Sequence, residues 1–165
     1  MARSRTERIE FRVEDARAVV AAMERLAAAH AGWVNLLPQV RPEDEPPPRQ
    51  GLTTLLAGAV HDIPVCTWVP GKRTRSGVKP DTIGVQHAVG TRVKARLVAA
   101  GLGARPGWRL LQDHPRRGLL VALPPGTALD EVVVWLLEAG AVLSAVRLSG
   151  EWRAEVHLPT EADRR

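Results

Sequence analysis

Residues 91–126 read TRVKARLVAAGLGARPGWRLLQDHPRRGLLVALPPG. The first ten of them place Val93 and Leu97 at helical spacing, which predicts a helix that ends at the following glycine. Two apolar segments follow, 108–112 and 118–123, and the polar turn DHPRRG joins them. The stretch therefore predicts a helix followed by a β-hairpin, which is a common unit of mixed folds.

The same order of elements recurs on both sides of this stretch. Upstream, a predicted helix is followed by predicted strands at 33–37 and 63–69. Downstream, an apolar helix over 127–144 is followed by a predicted hairpin of strands 145–148 and 152–158. This order predicts an α+β fold, in which an antiparallel sheet is built from helix-plus-hairpin units and the helices pack on one face. Internal duplication and chance recurrence of a common unit both account for the pattern.

The chain has 165 residues, a length that fits one domain with its own hydrophobic core. We therefore predict a single α+β domain over 1–165. Residues 41–50, RPEDEPPPRQ, predict a polyproline-like or disordered surface loop because proline removes backbone donors. The apolar segment 52–60 is compatible with a short helix, and residues 160–165 are predicted to form a disordered tail.

Composition and motifs exclude several classes of protein. The single cysteine, Cys66, has no disulfide partner and is expected to pack as a small hydrophobe. The longest apolar run, 132–146, is interrupted by Glu138 and is shorter than the roughly 20 residues that span a bilayer. No apolar stretch follows the N-terminal arginines, so they do not form a secretory signal. We therefore expect a soluble cytoplasmic protein that does not contact membranes.

No complete phosphate-binding loop, dinucleotide-binding loop or nucleophile elbow occurs in the sequence. The five histidines do not form a cluster with the spacing of metal ligands. We therefore expect neither a metal nor a cofactor.

Charge is distributed unevenly along the chain. The formal net charge is +5, but residues 1–50 are neutral, residues 51–126 carry +8 and residues 127–165 carry −3. Twenty of the 23 cationic residues are arginine, which favours bidentate phosphate contacts. GC-rich coding produces the same bias, so the arginine content by itself indicates no function. An anionic partner would contact the middle of the chain.

Two predicted loops in residues 51–126 carry six of the eleven cations of that segment. One is GKRTRSGVKP, residues 71–80, and the other is the turn DHPRRG, residues 113–118. Guanidinium, ammonium and imidazole groups on exposed loops can bind phosphate, although charged loops also keep proteins soluble. The predicted anion-binding residues are Lys72, Arg73, Arg75, Lys79, His114, Arg116 and Arg117.

Three functional hypotheses follow. The preferred one is a non-enzymatic binding module whose basic middle contacts nucleic acid or a phosphorylated ligand. The second is a homo-oligomeric or adaptor protein that assembles through helix 127–144, because that helix is apolar almost all round. The third is a small-molecule enzyme that uses His114 or His87 with Asp113. The third has the least support, because the sequence offers no activated nucleophile.

The five tryptophans must supply most of the aromatic volume, because the chain has one phenylalanine and no tyrosine. Trp33 and Trp108 each follow a glycine that ends a predicted helix, and Trp135 lies inside the apolar helix, so we expect all three in the core. Trp152 follows the last predicted turn and is the best candidate for an exposed contact. His157, on the last strand, is expected to face solvent.

Overall fold

The computed structural model describes residues 5–48 and 61–159. Two of the predictions, for 52–60 and for the tail 160–165, lie outside these residues. In chain order the described helices and strands are β1 (Thr6–Arg12), α1 (Arg17–Ala29), β2 (Trp33–Pro38), β3 (Val65–Val69), β4 (Arg73–Thr74), β5 (Gly77–Val78), β6 (Thr82–Gln86), α2 (Val93–Ala99), β7 (Arg109–His114), β8 (Gly118–Ala122), α3 (Leu129–Val142) and β9 (Glu151–His157).

Seven of the described strands form one sheet in the order β1-β9-β2-β3-β6-β8-β7, and every neighbouring pair is antiparallel. Strands β4 and β5 form a separate two-stranded hairpin. Helix α3 packs on β2, β3 and β6 and also contacts α1 and α2. The structure therefore confirms the α+β class, with an antiparallel sheet and helices on one face.

The core lies between α3 and the middle strands, where every second strand residue is buried. Cys66 on β3 is fully buried, and its Sγ donates to the carbonyl oxygen of Leu136 at 3.3 Å. Burial raises the pKa of this thiol to about 12, so Cys66 packs as a small hydrophobe as predicted. Close approach of α3 requires Gly140, because a Cβ there would lie 2.9 Å from Cys66 Sγ and from the Trp152 ring.

Helix α3 uses almost all of its apolar surface inside the domain. Most of its apolar residues are buried, and the exposed stripe contains one large apolar side chain, Val134, which is 48% exposed. The helix is apolar nearly all round because it packs on the sheet and between two other described helices. Assembly of two chains through helix 127–144 stays a prediction, but this packing does not require it.

The predicted final hairpin does not form. Residues 145–148 are not a strand, and β9 lies between β1 and β2 instead. Because both edges of β9 are paired, no edge is left for 145–148. Strand β6, which the sequence analysis did not predict, is short and carries Gly84 in its middle, and an interior glycine weakens the strand signal.

The proline-rich loop is also described as far as Pro48. It contains one short 3-10 turn, Pro42–Asp44, and most of its residues are exposed. The described part of the loop therefore lies at the surface. The order of helix and two strands recurs in α1–β2–β3 and α2–β7–β8, whereas α3 is followed by the single strand β9. Internal duplication stays a prediction.

Two predictions for tryptophan are wrong. Trp33 is 40% exposed, because it alternates with buried Val34 on β2 and faces away from the helices. Trp152 is only 2% exposed, because on β9 it lies on the side that the helices cover. Trp108 and Trp135 are buried as predicted, and their rings make an edge-to-face contact with centroids 5.4 Å apart.

Candidate functional site

The sheet face opposite the helices, called the open face below, carries polar and aromatic side chains. None of the described helices packs on it. One row of adjacent positions crosses the whole sheet on this face, and it consists of Arg8, Glu155, Asn35, Thr67, Gly84, Leu120 and Gln112.

At one end of the open face, Trp33 stacks on His157 with ring centroids 4.5 Å apart and an interplanar angle of 14°. His157 Nδ1 lies 3.2 Å from Thr6 Oγ1, and its Nε2 lies 3.3 Å from Asn35 Nδ2. Thr67 Oγ1 donates to Asn35 Oδ1 at 2.8 Å. This donor fixes the orientation of the Asn35 amide, so Nδ2 donates to Nε2 of His157 and the ring proton lies on Nδ1.

The sequence predicts that His157 faces solvent, but the ring is partly covered and held in place. Its side chain is on the open face, but Trp33 covers one side of the ring and two side chains hold its nitrogens. Because both ring positions are fixed by hydrogen bonds, the Trp33–His157 stack has one preferred arrangement.

The basic hairpin, residues 71–79, projects from the same end of the sheet between β3 and β6. Lys79 N donates to the Lys72 carbonyl at 2.8 Å, and Thr74 Oγ1 donates to the Gly77 carbonyl at 2.8 Å. The hairpin is exposed. It brings together four of the predicted anion-binding residues, namely Lys72, Arg73, Arg75 and Lys79.

The base of the basic hairpin is anchored to the sheet by Asp81. One carboxylate oxygen accepts from Gly71 N at 2.7 Å and the other accepts from Trp68 Nε1 at 3.2 Å. The Gly71 carbonyl also lies 3.1 Å from Nδ1 of His30. Asp81 and His30 therefore fix the point from which the cationic side chains extend, and Trp68 holds Asp81 in place.

The β7–β8 turn, residues 113–118, carries the other predicted site residues. His114 Nδ1 accepts from the backbone N–H groups of Arg116 at 3.1 Å and Arg117 at 3.2 Å. Gln112 Nε2 donates to the carbonyls of Arg117 at 3.1 Å and Gly118 at 3.2 Å. Because Nδ1 accepts, the ring proton of His114 lies on Nε2, where it remains a donor. Arg116 and Arg117 extend as exposed side chains from a braced turn.

Asp113 and His114 do not form a catalytic pair. They are successive residues of β7, so their side chains point to opposite faces of the sheet. Asp113 Oδ2 accepts from Lys94 N at 3.2 Å on the helix side, whereas His114 is the cross-strand partner of Gly118 and lies on the open-face side. The arrangement that the enzyme hypothesis needs from these two residues is absent from the described turn.

His87 is a buried histidine, 2% exposed, on the helix side of the same end of the sheet. Neither ring nitrogen has a hydrogen-bond partner in the described parts of the chain. Burial lowers the pKa of His87, the charge of Asp113 opposes that shift and the charge of Arg96 adds to it. Across 5–48 and 61–159, no three His, Cys, Asp or Glu residues converge as a metal site.

Helix α2 adds cations that the predicted site omitted. Arg92, Lys94 and Arg96 are exposed, and the hydrogen bond from Lys94 N to Asp113 holds the beginning of the helix next to the β7–β8 turn. The sequence shows these residues only as the polar side of a helix. Their closeness to Arg116 and Arg117 depends on the tertiary fold.

The structure places the two basic loops at opposite ends of the sheet. The basic hairpin precedes Thr82 at the start of β6, whereas Gly118 lies against Val85 and Gln86 at the other end of β6. Strand residues advance about 3.3 Å each, so the body of β6 alone separates the two loops by about 13 Å. The predicted site residues therefore form two clusters.

Charge pairing differs between these clusters and the rest of the chain. Five arginines from residues 5–48 and from β9 form ion pairs with carboxylates. Of the eleven cations in residues 51–126, only Arg105 does so within the described residues, with Glu131 at 3.2 Å. The other ten have no carboxylate within 4.0 Å in the part of the chain that the structure describes. These ten cations are available to an external anion.

Comparison of the chain with protein families, curated proteins and solved structures finds no match. None of the helices within 5–48 and 61–159 is long and apolar enough to cross a membrane.

Proposed function

We propose that this protein is a binding module for nucleic acid, which it contacts through the basic hairpin and the β7–β8 turn. The observation that carries the proposal is the set of ten cations in residues 51–126 that lack a carboxylate partner in the described structure. Unpaired lysines and arginines bind phosphates and release counterions, which supplies most of the affinity of proteins for nucleic acid. The cytoplasmic location stays a prediction.

The separation of the two clusters favours a polymer over a small phosphorylated ligand. A single phosphate group can contact the basic hairpin or the β7–β8 turn, but about 13 Å of strand lies between them. A nucleic-acid strand carries phosphates at regular intervals and can reach both clusters at once. Simultaneous contact makes the second cluster act at high effective concentration.

Internal bracing of both loops supports the same function. The hairpin is fixed by Asp81 and His30, and the turn is fixed by His114 and Gln112. Because the backbone of each loop is already ordered, binding costs less conformational entropy than it would for mobile loops. Only the ends of the cationic side chains need to adapt to the ligand.

Removal of the hairpin charges tests the proposal. We expect K72Q/R73Q/R75Q/K79Q to weaken binding of a fluorescent oligonucleotide of about 12 nucleotides, measured by anisotropy between about 50 and 200 mM salt. Each lost phosphate contact reduces the salt slope by about 0.7 for a single strand, so four lost contacts reduce it by about 3. R116Q/R117Q should give a smaller loss of the same kind.

The matched control removes the same net charge from paired positions. R8Q/R12Q/R25Q/R153Q breaks exposed ion pairs, which contribute little to folding, and should weaken binding clearly less than the hairpin variant, because its effect comes from net charge without the loss of a direct phosphate contact. Equal losses in the control and in the hairpin variant would show that only net charge matters. Absence of binding to every oligonucleotide at about 50 mM salt would overturn the proposal, and complete displacement by equimolar ATP would favour a small phosphorylated ligand.

A further inference from the structure

We infer that the nucleic acid is single-stranded and that one of its bases stacks on Trp33. This inference rests on the proposed function and adds the class of nucleic acid and the residue that selects it. The observations that carry it are the exposure of Trp33 on the open face, the fixed stack beneath it and its position next to the basic hairpin.

Trp33 is an exposed aromatic ring with a defined orientation. One side of the indole lies on His157, with ring centroids 4.5 Å apart, and the Trp33 residue as a whole is 40% exposed. His157 is held in turn by Thr6 and Asn35. A base that stacks on the outer side would therefore extend an existing parallel stack, and no side chain would have to be reoriented beneath it.

The register of the sheet places Trp33 close to the basic hairpin. Val34 pairs with Trp68, so the next positions of the two antiparallel strands bring Trp33 beside Val69. Three residues further along the chain is Lys72, which an extended backbone places at most about 11 Å from Val69. A nucleotide whose base lies on Trp33 thus has its neighbouring phosphates within reach of the hairpin cations.

A duplex cannot use Trp33 in this way, because its bases are already stacked and paired inside the helix. Stacking on a protein ring needs an unpaired base, and it tolerates any sequence because every base has a π-face. A duplex would contact the basic clusters through its phosphates alone. Trp33 should therefore raise the affinity for single strands and leave the affinity for duplexes unchanged.

Two substitutions separate stacking from simple apolar contact. W33F keeps an aromatic ring, whereas W33L keeps an apolar side chain without a π-face. We expect W33L to bind single-stranded DNA and single-stranded RNA of about 12 nucleotides about five- to a hundredfold more weakly than the unmodified protein, since stacking of one base contributes on that scale. W33F should remain within about threefold, and neither variant should change binding to a duplex of the same length.

Control measurements keep the test decisive. V134A removes another exposed apolar side chain, on α3 behind the sheet, and should not change either affinity. Thermal unfolding of W33L verifies that the fold persists, and if it does not, a Trp33→Val variant, which suits a strand and also lacks a π-face, replaces it and should show the same loss for single strands. Unchanged single-strand affinity in folded W33L, or an equal loss for single strands and duplexes, would overturn the inference while the proposed function stands. Failure of the unmodified protein to bind any nucleic acid would overturn both.

Discussion

The two edges of the sheet use their charged residues differently. At the β1–β9 edge, three cross-strand pairs join Arg8 to Glu155, Arg12 to Glu151 and Arg153 to Glu10, with nitrogen–oxygen distances between 2.6 and 3.6 Å. At the β7–β8 edge, on α2 next to it and just before that helix, six cations have no such partner in the described residues, namely Arg92, Lys94, Arg96, Arg109, Arg116 and Arg117.

This difference concerns recognition more than stability. An exposed ion pair contributes at most about 1 kcal/mol, so pairing at the β1–β9 edge adds little to folding. It does, however, cancel the electrostatic potential that a charged ligand would meet. The unpaired β7–β8 edge keeps that potential. The two edges therefore present different surfaces to an anion.

The largest expected effect is on stability, and it comes from a substitution in the β7–β8 turn, at the edge whose cations are unpaired. Gly118 has a φ of +78°, and a Cβ there would overlap the carbonyl oxygen of Val85 on β6. Left-handed backbone strain and overpacking against a neighbouring backbone each cost about 1–3 kcal/mol. We expect Gly118→Ala to lower the free energy of unfolding by about 3 kcal/mol, measured by urea denaturation.

Gly126→Ala is the matched control for this substitution. Gly126 has a φ of +77°, but a Cβ there would have no atom within 4 Å. Its cost should therefore be the backbone term alone, about 1 kcal/mol. Similar losses in the two variants would show that the contact between the turn and β6 does not matter for stability.

The sequence predicted the local elements of the fold better than their arrangement. Helical spacing and alternation mark α1, α2 and the β7–β8 hairpin because those patterns arise from neighbouring residues. The position of β9 depends on pairs such as Thr6 with His157, which are 151 residues apart, and no local pattern encodes such a pair. Trp33 was placed in the core for the same reason, since its exposure follows from which face the helices cover.

A second variant converts the paired β1–β9 edge into an unpaired one. E10Q/E151Q/E155Q removes the three carboxylates and leaves Arg8, Arg12 and Arg153 free. We expect this variant to bind single-stranded oligonucleotides about tenfold more tightly at low salt, with a salt slope steeper by up to about 2. Stability should change little, because exposed ion pairs contribute little to folding.

An increase in net positive charge would by itself raise affinity, so E14Q/E24Q/E138Q is measured as a control for E10Q/E151Q/E155Q. These three glutamates are exposed and form no ion pair in the described structure, and their removal adds the same charge. On a logarithmic scale, the gain in affinity of this control should be less than half that of E10Q/E151Q/E155Q. An equal gain would mean that pairing at the β1–β9 edge does not control recognition.

The candidate site was predictable only in part. Charge counting found the cations of the basic hairpin and the β7–β8 turn, because loops are continuous in sequence. Whether an arginine is paired depends on partners far away in the chain, as for Arg12 and Glu151, which are 139 residues apart. The contribution of α2 and the stack of Trp33 on His157 depend on the same long-range contacts.

The smallest expected effect is on the pH dependence of stability, and it depends on a difference between His157 and His87. His157 has hydrogen-bond partners on both nitrogens, whereas buried His87 has none in the described chain, and burial lowers its pKa below the ordinary 6.5. Since the unfolded chain then binds a proton at His87 more readily than the folded chain does, this group lowers stability as the pH falls through 6.5 and adds little pH dependence well above that value.

His87→Leu should remove this contribution, because leucine has a similar volume and no charge to bury. We expect the free energy of unfolding of the variant to fall less steeply between about pH 6.5 and pH 5 than that of the unmodified protein, as measured by urea denaturation at each pH. Above pH 7 the two curves should run parallel. A variant with the same acid slope would mean that His87 is protonated in the folded state, where Asp113 would have to stabilise its charge against burial and Arg96.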